Sequence, residues 1–260
     1  MKIPRGKYDL HVHTTFCDGK NTAEETVLTA ISCGMDVIGF SGHSHTPFDE
    51  SYCMSVEGTE RYREEILRLR KKYRGKIKIL LGIEQDLFSD IPAEGYDYVI
   101  GSVHYFKLGD EYVPVDHTAA IQKAAADRYF GGDLISLAEV YFDEVARVAE
   151  TTGCDIVGHF DLVTKFNEDG LTFDVTDPRY VRAWQAAVDR LIPSGALFEI
   201  NTGAITRGYR KTPYPAPDIF GYIKERGGRF ILSGDVHRAE NLGINCRWKV
   251  VGGQWKEDIS

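Results

Sequence analysis

Seven short apolar runs alternate with amphipathic helical segments along this chain, and each run ends beside a residue able to bind a metal or an anion. The runs are Tyr8–Val12, Val37–Ser41, Ile77–Ile83, Tyr98–Val103, Ile156–Gly158, Leu197–Ile200 and Arg229–Leu232. Between them, helical spacing falls at Ala23–Cys33, Thr59–Tyr73, Ala119–Phe130, Leu134–Thr152, Pro178–Leu191 and Pro217–Arg226, several closed by a glycine such as Gly34, Gly75 or Gly227. Strands separated by helices or long loops pair in parallel, so the expected fold is α/β, a closed or nearly closed barrel. With 260 residues and no linker, repeat or low-complexity stretch, one domain spanning 1–260 is expected.

The polar residues at the run ends carry the functional argument. His11 and His13 close the first run, and His43, Glu84, His104, His159 and Asn201 follow the next five. Asp235 and His237 follow the seventh. In parallel α/β barrels the C-terminal strand ends converge on one face, so residues distant in sequence meet around one pocket. Alternation along a strand aims His11 and His13 to the same side.

With Asp18, the nine candidate metal ligands are His11, His13, Asp18, His43, Glu84, His104, His159, Asp235 and His237. One catalytic zinc takes three protein ligands and keeps one position open, so nine suit two or three ions, with Glu84 bridging. Imidazole mixed with carboxylate favours zinc, manganese or iron over magnesium or calcium. Three carboxylates offset only part of the charge of three divalent ions, and the surplus attracts an anionic substrate. Asp9 is expected to orient a ligating histidine. His45 competes with His43 for the ligand role in its loop, and His43 is favoured.

Charge and composition narrow the partners. The formal net charge is −8 and no dense basic run occurs, so nucleic acid is not an expected partner. There is no apolar run of membrane-spanning length and no signal-peptide pattern, and a cytoplasmic location is expected. The five cysteines are scattered without a C-x-x-C pair, arguing against a disulfide framework or a thiolate zinc site. Neither a G-x-S-x-G nor a P-loop motif is present.

This order of motifs, from Asp9-Leu10-His11-Val12-His13 to Gly234-Asp235-Val236-His237, resembles the PHP (polymerase and histidinol phosphatase) family of metal-dependent phosphoesterases. The resemblance implies a distorted (β/α)7 barrel with a trinuclear site at the C-terminal strand ends. It assigns His11, His13, Glu84 and Asp235 to one metal, Glu84, His104 and His159 to a second, and Asp18, His43 and His237 to a third. Gly101-Ser102-Val103-His104, Gly158-His159-Phe160-Asp161, Glu199-Ile200-Asn201-Thr202-Gly203 and Pro213-Tyr214-Pro215-Ala216-Pro217 are most similar to the monofunctional histidinol-phosphate phosphatases of that family. Two positions depart from it: Ser41 stands where Asp is common, and Phe160 where Pro is common.

The implied reaction is hydrolysis of a small phosphate monoester by metal-activated water, with histidinol phosphate the expected substrate. Glu84, Asp161 and His237 are the candidates for direct catalytic roles, Asp161 as proton donor or as a brace for a ligand. Arg207, Lys165, Asn201 and Arg238 are the candidate phosphate and substrate contacts. Two other readings belong to the same family, a nucleotide phosphodiesterase or nuclease and a non-catalytic metal-binding module. The oligomeric state is left open.

Overall fold

The computed structural model describes residues 1–170, 172–251 and 254–257. Its central sheet holds strands β1 (Tyr8–Asp9), β2 (Val37–Phe40), β3 (Lys78–Asp86), β4 (Tyr98–Ser102), β7 (Ile156–Val157), β8 (Leu197–Asn201) and β9 (Arg229–Ser233), paired in that order. Every pairing in it is parallel. Two hairpins stand apart, β5 (Tyr105–Leu108) with β6 (Glu111–Pro114) and β10 (Trp248–Val251) with β11 (Gln254–Glu257). The first and last elements of the sheet meet through a parallel bridge between Val12 and Val236. Val236 N–H donates to His11 O and His13 N–H to Val236 O, both at 2.8 Å. The expected nearly closed seven-stranded barrel is therefore present.

Strand β1 stops three residues before its apolar run does, for a local reason. Side chains take the backbone donors that would extend the ladder: Asp9 Oδ1 accepts from His11 N–H (3.1 Å) and Ser41 Oγ from Val12 N–H (3.1 Å). Strand β3 instead runs to Asp86, so Glu84 projects from within a strand. The β5–β6 hairpin was not anticipated, although its two-residue Gly109-Asp110 turn, with Gly109 at φ +64°, is a legible hairpin signal.

Helices α1 (Ala23–Ser32), α2 (Val56–Lys72), α3 (Ala119–Phe130), α4 (Leu134–Val145), α5 (Val148–Thr152), α6 (Pro178–Leu191), α7 (Gly203–Thr206) and α8 (Pro217–Glu225) surround the sheet or join its strands. Caps set their starts: Thr22 and Glu25 form a reciprocal capping box on α1, and Ser55 begins α2 three residues before the periodicity predicts. The expected single helix over 134–152 is two, because Arg147 N–H bonds Glu144 O, three residues back, and tightens the chain there.

Inside the barrel, Leu10, Val37, Tyr98, Ile100, Ile156, Leu197 and Ile231 form a small apolar plug. Tyr98 crosses it and donates to Leu10 O at 2.5 Å, which is possible because Gly82 offers no Cβ; one placed there would collide with the Tyr98 ring. The plug seals one end, leaving the C-terminal strand ends as the open mouth. Among the described residues, no helix is long and apolar enough to cross a membrane, and all five cysteines are unpaired.

Candidate metal centre

All nine candidate ligands meet at that mouth. Glu84 lies at their centre and is 1% exposed. Its Oε2 is 3.1 Å from His11 Nε2, 3.5 Å from His13 Nε2 and 2.9 Å from His43 Nδ1. Its Oε1 is 3.4 Å from His104 Nε2 and 3.0 Å from His159 Nε2. Asp18 approaches His237 Nε2 (3.1 Å) and His43 Nε2 (3.6 Å), while Asp235 Oδ1 reaches His237 Nδ1 (3.3 Å) and His13 Nε2 (3.4 Å). Five imidazoles thus share one carboxylate.

Protons alone serve this cluster poorly. Burial, with His237 and His43 alongside, drives His13 down to about 3. Burial also disfavours charge on His11 and His104, yet Glu199 and Glu84 hold His11 well above its usual value, and Glu84 and Asp86 do the same for His104. Glu84, which burial alone would raise, is kept well below the carboxylate range by His11, His43 and His104.

Five buried atoms of the nine ligands, His11 Nε2, His13 Nε2, Asp18 Oδ1, Glu84 Oε2 and His159 Nδ1, have no hydrogen-bond partner among the described residues. Unpaired lone pairs at this depth are costly unless a cation takes them. Three sets have ligand atoms within 4.8 Å of one another: His13, Asp18, His43 and His237; His11, His13 and Glu84; His43, Glu84 and His104. The donor set fits divalent metal ions.

A ring of further contacts aims these ligands. Glu199, fully buried, accepts from His11 Nδ1 (2.5 Å), His159 N–H (2.7 Å), Ser233 Oγ (2.5 Å) and Asn201 Nδ2 (3.0 Å). Asp86 holds His104 through Nδ1 at 3.0 Å, and Ser102 donates to Glu84 at 2.7 Å. Asp235 sits at φ +48°, and Gly203 makes room for it, since a Cβ there would be 2.7 Å from Asp235 Cβ.

Several expectations change in detail. Asp9 does not reach an imidazole: it accepts from the His11 and Gly234 backbone N–H groups and ties the first strand to the last, leaving Glu199 as the histidine's support. Ser41 braces Val12 rather than His43. His45 turns away between Asp90 (2.7 Å) and Glu50 (2.9 Å), so His43 alone faces the cluster from that loop.

Asp161 is fully buried behind the mouth, accepting from Ala216 N–H (3.1 Å), and is not on the cavity wall. That placement suits a brace and not a proton donor to substrate. Asn201 supports Glu199 and Asp235 from beneath. Sequence reasoning gave no role to Glu199, Asp86 or Asp116; Glu199 stands two residues before Asn201 on β8 and Asp86 two after Glu84 on β3, so each shares a strand face with a residue already singled out.

The mouth opens into a cavity of about 180 Å³. Beyond the ligands its wall carries Tyr52, Tyr105, Asp116, His117, Leu162, Lys165 and Arg207. Arg207 donates to Asp235 Oδ2 (2.9 Å) and keeps 29% of its side chain exposed. Lys165 is 9% exposed and donates to Asp116 Oδ2 at 2.9 Å. Arg238 stands outside this cavity, in an adjoining recess.

The PHP domain pattern matches residues 9–203, three quarters of the chain. The chain belongs to the PHP domain family. Asp235 and His237 lie beyond the matched segment and join it through geometry. A histidinol-phosphatase of Lactococcus lactis subsp. lactis is 32% identical to this PHP chain over 90% of it and 85% of the relative. A probable histidinol-phosphatase of Deinococcus radiodurans is 29% identical over 92% of this chain and 89% of that one.

Among solved structures, a putative histidinol phosphatase of Listeria monocytogenes superposes with a TM-score of 0.75 at 19% identity, covering 91% of this chain and 97% of that one. The Lactococcus lactis histidinol phosphate phosphatase, complexed with zinc, L-histidinol and phosphate, gives 0.67 at 21% identity, covering 96% and 99%. At such identities the structural likeness establishes the fold.

Proposed function

We propose that this PHP chain, acting as one domain, hydrolyses L-histidinol phosphate to L-histidinol and phosphate, using three divalent ions, zinc foremost with manganese or iron as substitutes. The observation that carries the reading is the convergence of nine ligand side chains on one mouth, with Arg207 beside them. Similarity to histidinol-phosphatases over nine tenths of the chain selects the substrate, and the zinc, L-histidinol and phosphate bound to the Lactococcus lactis protein support the metal and the ester.

His11, His13, Glu84 and Asp235 would hold one ion, Glu84, His104 and His159 a second, and Asp18, His43 and His237 a third. When bound, such ions lower the pKa of water towards neutrality and neutralise phosphoryl oxygens. The remaining work falls to side chains. Arg207 presents a guanidinium to the phosphoryl oxygens, its position fixed by Asp235 and by His237 Nδ1 at 3.1 Å. Glu199 fixes the His11 ring through Nδ1 and so leaves Nε2 free to ligate. Glu84, whose two oxygens face different imidazoles, would serve more than one ion.

The leaving alcohol occupies the other wall. Tyr52 and Tyr105 offer aromatic faces to a planar ring, and the Asp116 carboxylate suits an ammonium group. Lys165, neutralised in part by Asp116, borders both products.

A panel of histidinol phosphate, an aryl phosphate, a nucleotide and single-stranded DNA, run beside elemental analysis, tests this directly. Histidinol phosphate should give the highest kcat/KM. Negligible turnover of it beside rapid cleavage of a nucleotide would overturn the substrate assignment.

A further inference from the structure

The metal centre opens on two sides, and the two openings differ in chemistry. The cavity described above and a second recess of about 330 Å³ share Asp18, Arg207, Asp235 and His237. Past those shared groups, the first carries the tyrosines, Asp116 and its partner Lys165. The second carries Lys20 and Arg238, both exposed, together with Tyr209 and Asn241, and its carboxylates among the described residues are the ligands Asp18 and Asp235.

We propose that the second recess is an anion subsite that receives inorganic phosphate as it leaves the metals, with Arg207 passing the ion from one side to the other. The inference rests on the phosphomonoesterase reading. That reaction releases products of opposite charge, a phosphate dianion and an aminoalcohol cation. The two openings match them: Lys20 and Arg238 line one, while in the other the tyrosines stand with His117 and with Asp116, whose carboxylate is paired with Lys165.

A chain of net charge −8 repels free phosphate at long range, so departure and capture depend on local cations. The recess is also a framed structure and not two chance side chains on mobile loops. Lys20 N–H donates to His237 O at 2.8 Å, and Ala239 N–H to Asn21 Oδ1 at 2.9 Å, which ties the Lys20 loop to the Arg238 segment. Tyr209 forms the partition, lining the recess while its ring lies 4.7 Å from Lys165 Nζ of the first cavity.

The test uses the metal-loaded full chain and the double variant Lys20→Gln/Arg238→Gln, with Arg74→Gln/Lys76→Gln, two exposed cations in the turn that leads into the N-terminal end of β3, as a control of equal charge change at the opposite end of the barrel. Calorimetric titration with inorganic phosphate is compared with KM for histidinol phosphate and for an aryl phosphate. Loss of two positive charges beside the ion should weaken phosphate binding by about five-fold, while KM for either ester moves by less than about two-fold. The control should match the wild type in both.

Phosphate affinity within two-fold of wild type in the double variant would overturn the subsite. So would ester KM values that rise in step with the phosphate dissociation constant, since the charges would then act on the whole mouth. A protein that turned over neither ester would remove the phosphatase reading instead, and the phosphate titration would still decide the recess.

Discussion

Two sealed carboxylates show what surroundings do to the same group. At the barrel mouth Glu84 is 1% exposed; in α4, packed on the β5–β6 hairpin, Glu144 is 4% exposed. Five imidazoles surround Glu84, and against burial His11, His43 and His104 hold it well below the usual carboxylate range. Glu144 accepts one hydrogen bond, from Lys107 N–H at 2.8 Å, its other oxygen has no partner among the described residues, and burial pushes its pKa up to about 8. Burial is common to both, so the neighbouring donors decide whether a buried acid becomes a ligand or a proton holder.

The largest effect that would sharpen this contrast comes from Glu84→Gln. It should lose bound metal and about three orders of magnitude in kcat/KM, since the amide cannot bridge cations; near-normal turnover would break the comparison at its stronger end. Next, Glu199→Gln should cost about 10- to 100-fold in metal affinity or activity by loosening His11 and His159, read by metal titration alongside rates.

Arg207→Ala should raise KM about ten-fold through loss of a two-pronged phosphate contact, with kcat affected less. For Glu144→Gln the measurement is stability against pH. The unfolded carboxyl loses its proton near 4.5, whereas the folded one keeps it to about 8. Between those values the folded state binds more protons, so stability falls as pH rises and the loss is complete above the folded value. The glutamine variant should therefore melt about 3 °C or more above wild type at pH 8.5, converge with it near pH 4.5, and keep its metal content. A variant less stable at pH 8.5 would show that Glu144 is ionised and paired in the fold. Smallest of all, His45→Ala should leave metal stoichiometry unchanged, since that ring is clamped between Asp90 and Glu50.

The ligand cluster was readable in the sequence because strand geometry projects residues two apart to one side, and parallel strands bring their C-terminal ends together. That logic placed His11, His13, His43, His104 and His159 without any contact information. It failed where direction depends on a loop. Asp161 follows His159 by two residues, as His13 follows His11, yet the chain turns there and Asp161 faces Ala216.

Periodicity also could not reveal that Asp9 is consumed by backbone donors, which passed the histidine-holding role to Glu199, 188 residues from His11. Side-chain capture of backbone N–H groups likewise shortened β1. The Gly109-Asp110 turn was readable and unread, and with it the hairpin that carries Tyr105 to the cavity wall.

Hydrolysis of the phosphate ester should depend on metal ions gathered by the Glu84 cluster. The most direct test strips the protein with a chelator, confirms the metal-free state by elemental analysis, and returns zinc or manganese stepwise while histidinol phosphate turnover is followed. The stripped protein should give no turnover, and recovery should saturate at three ions per chain. Undiminished turnover by metal-free protein would contradict this dependence.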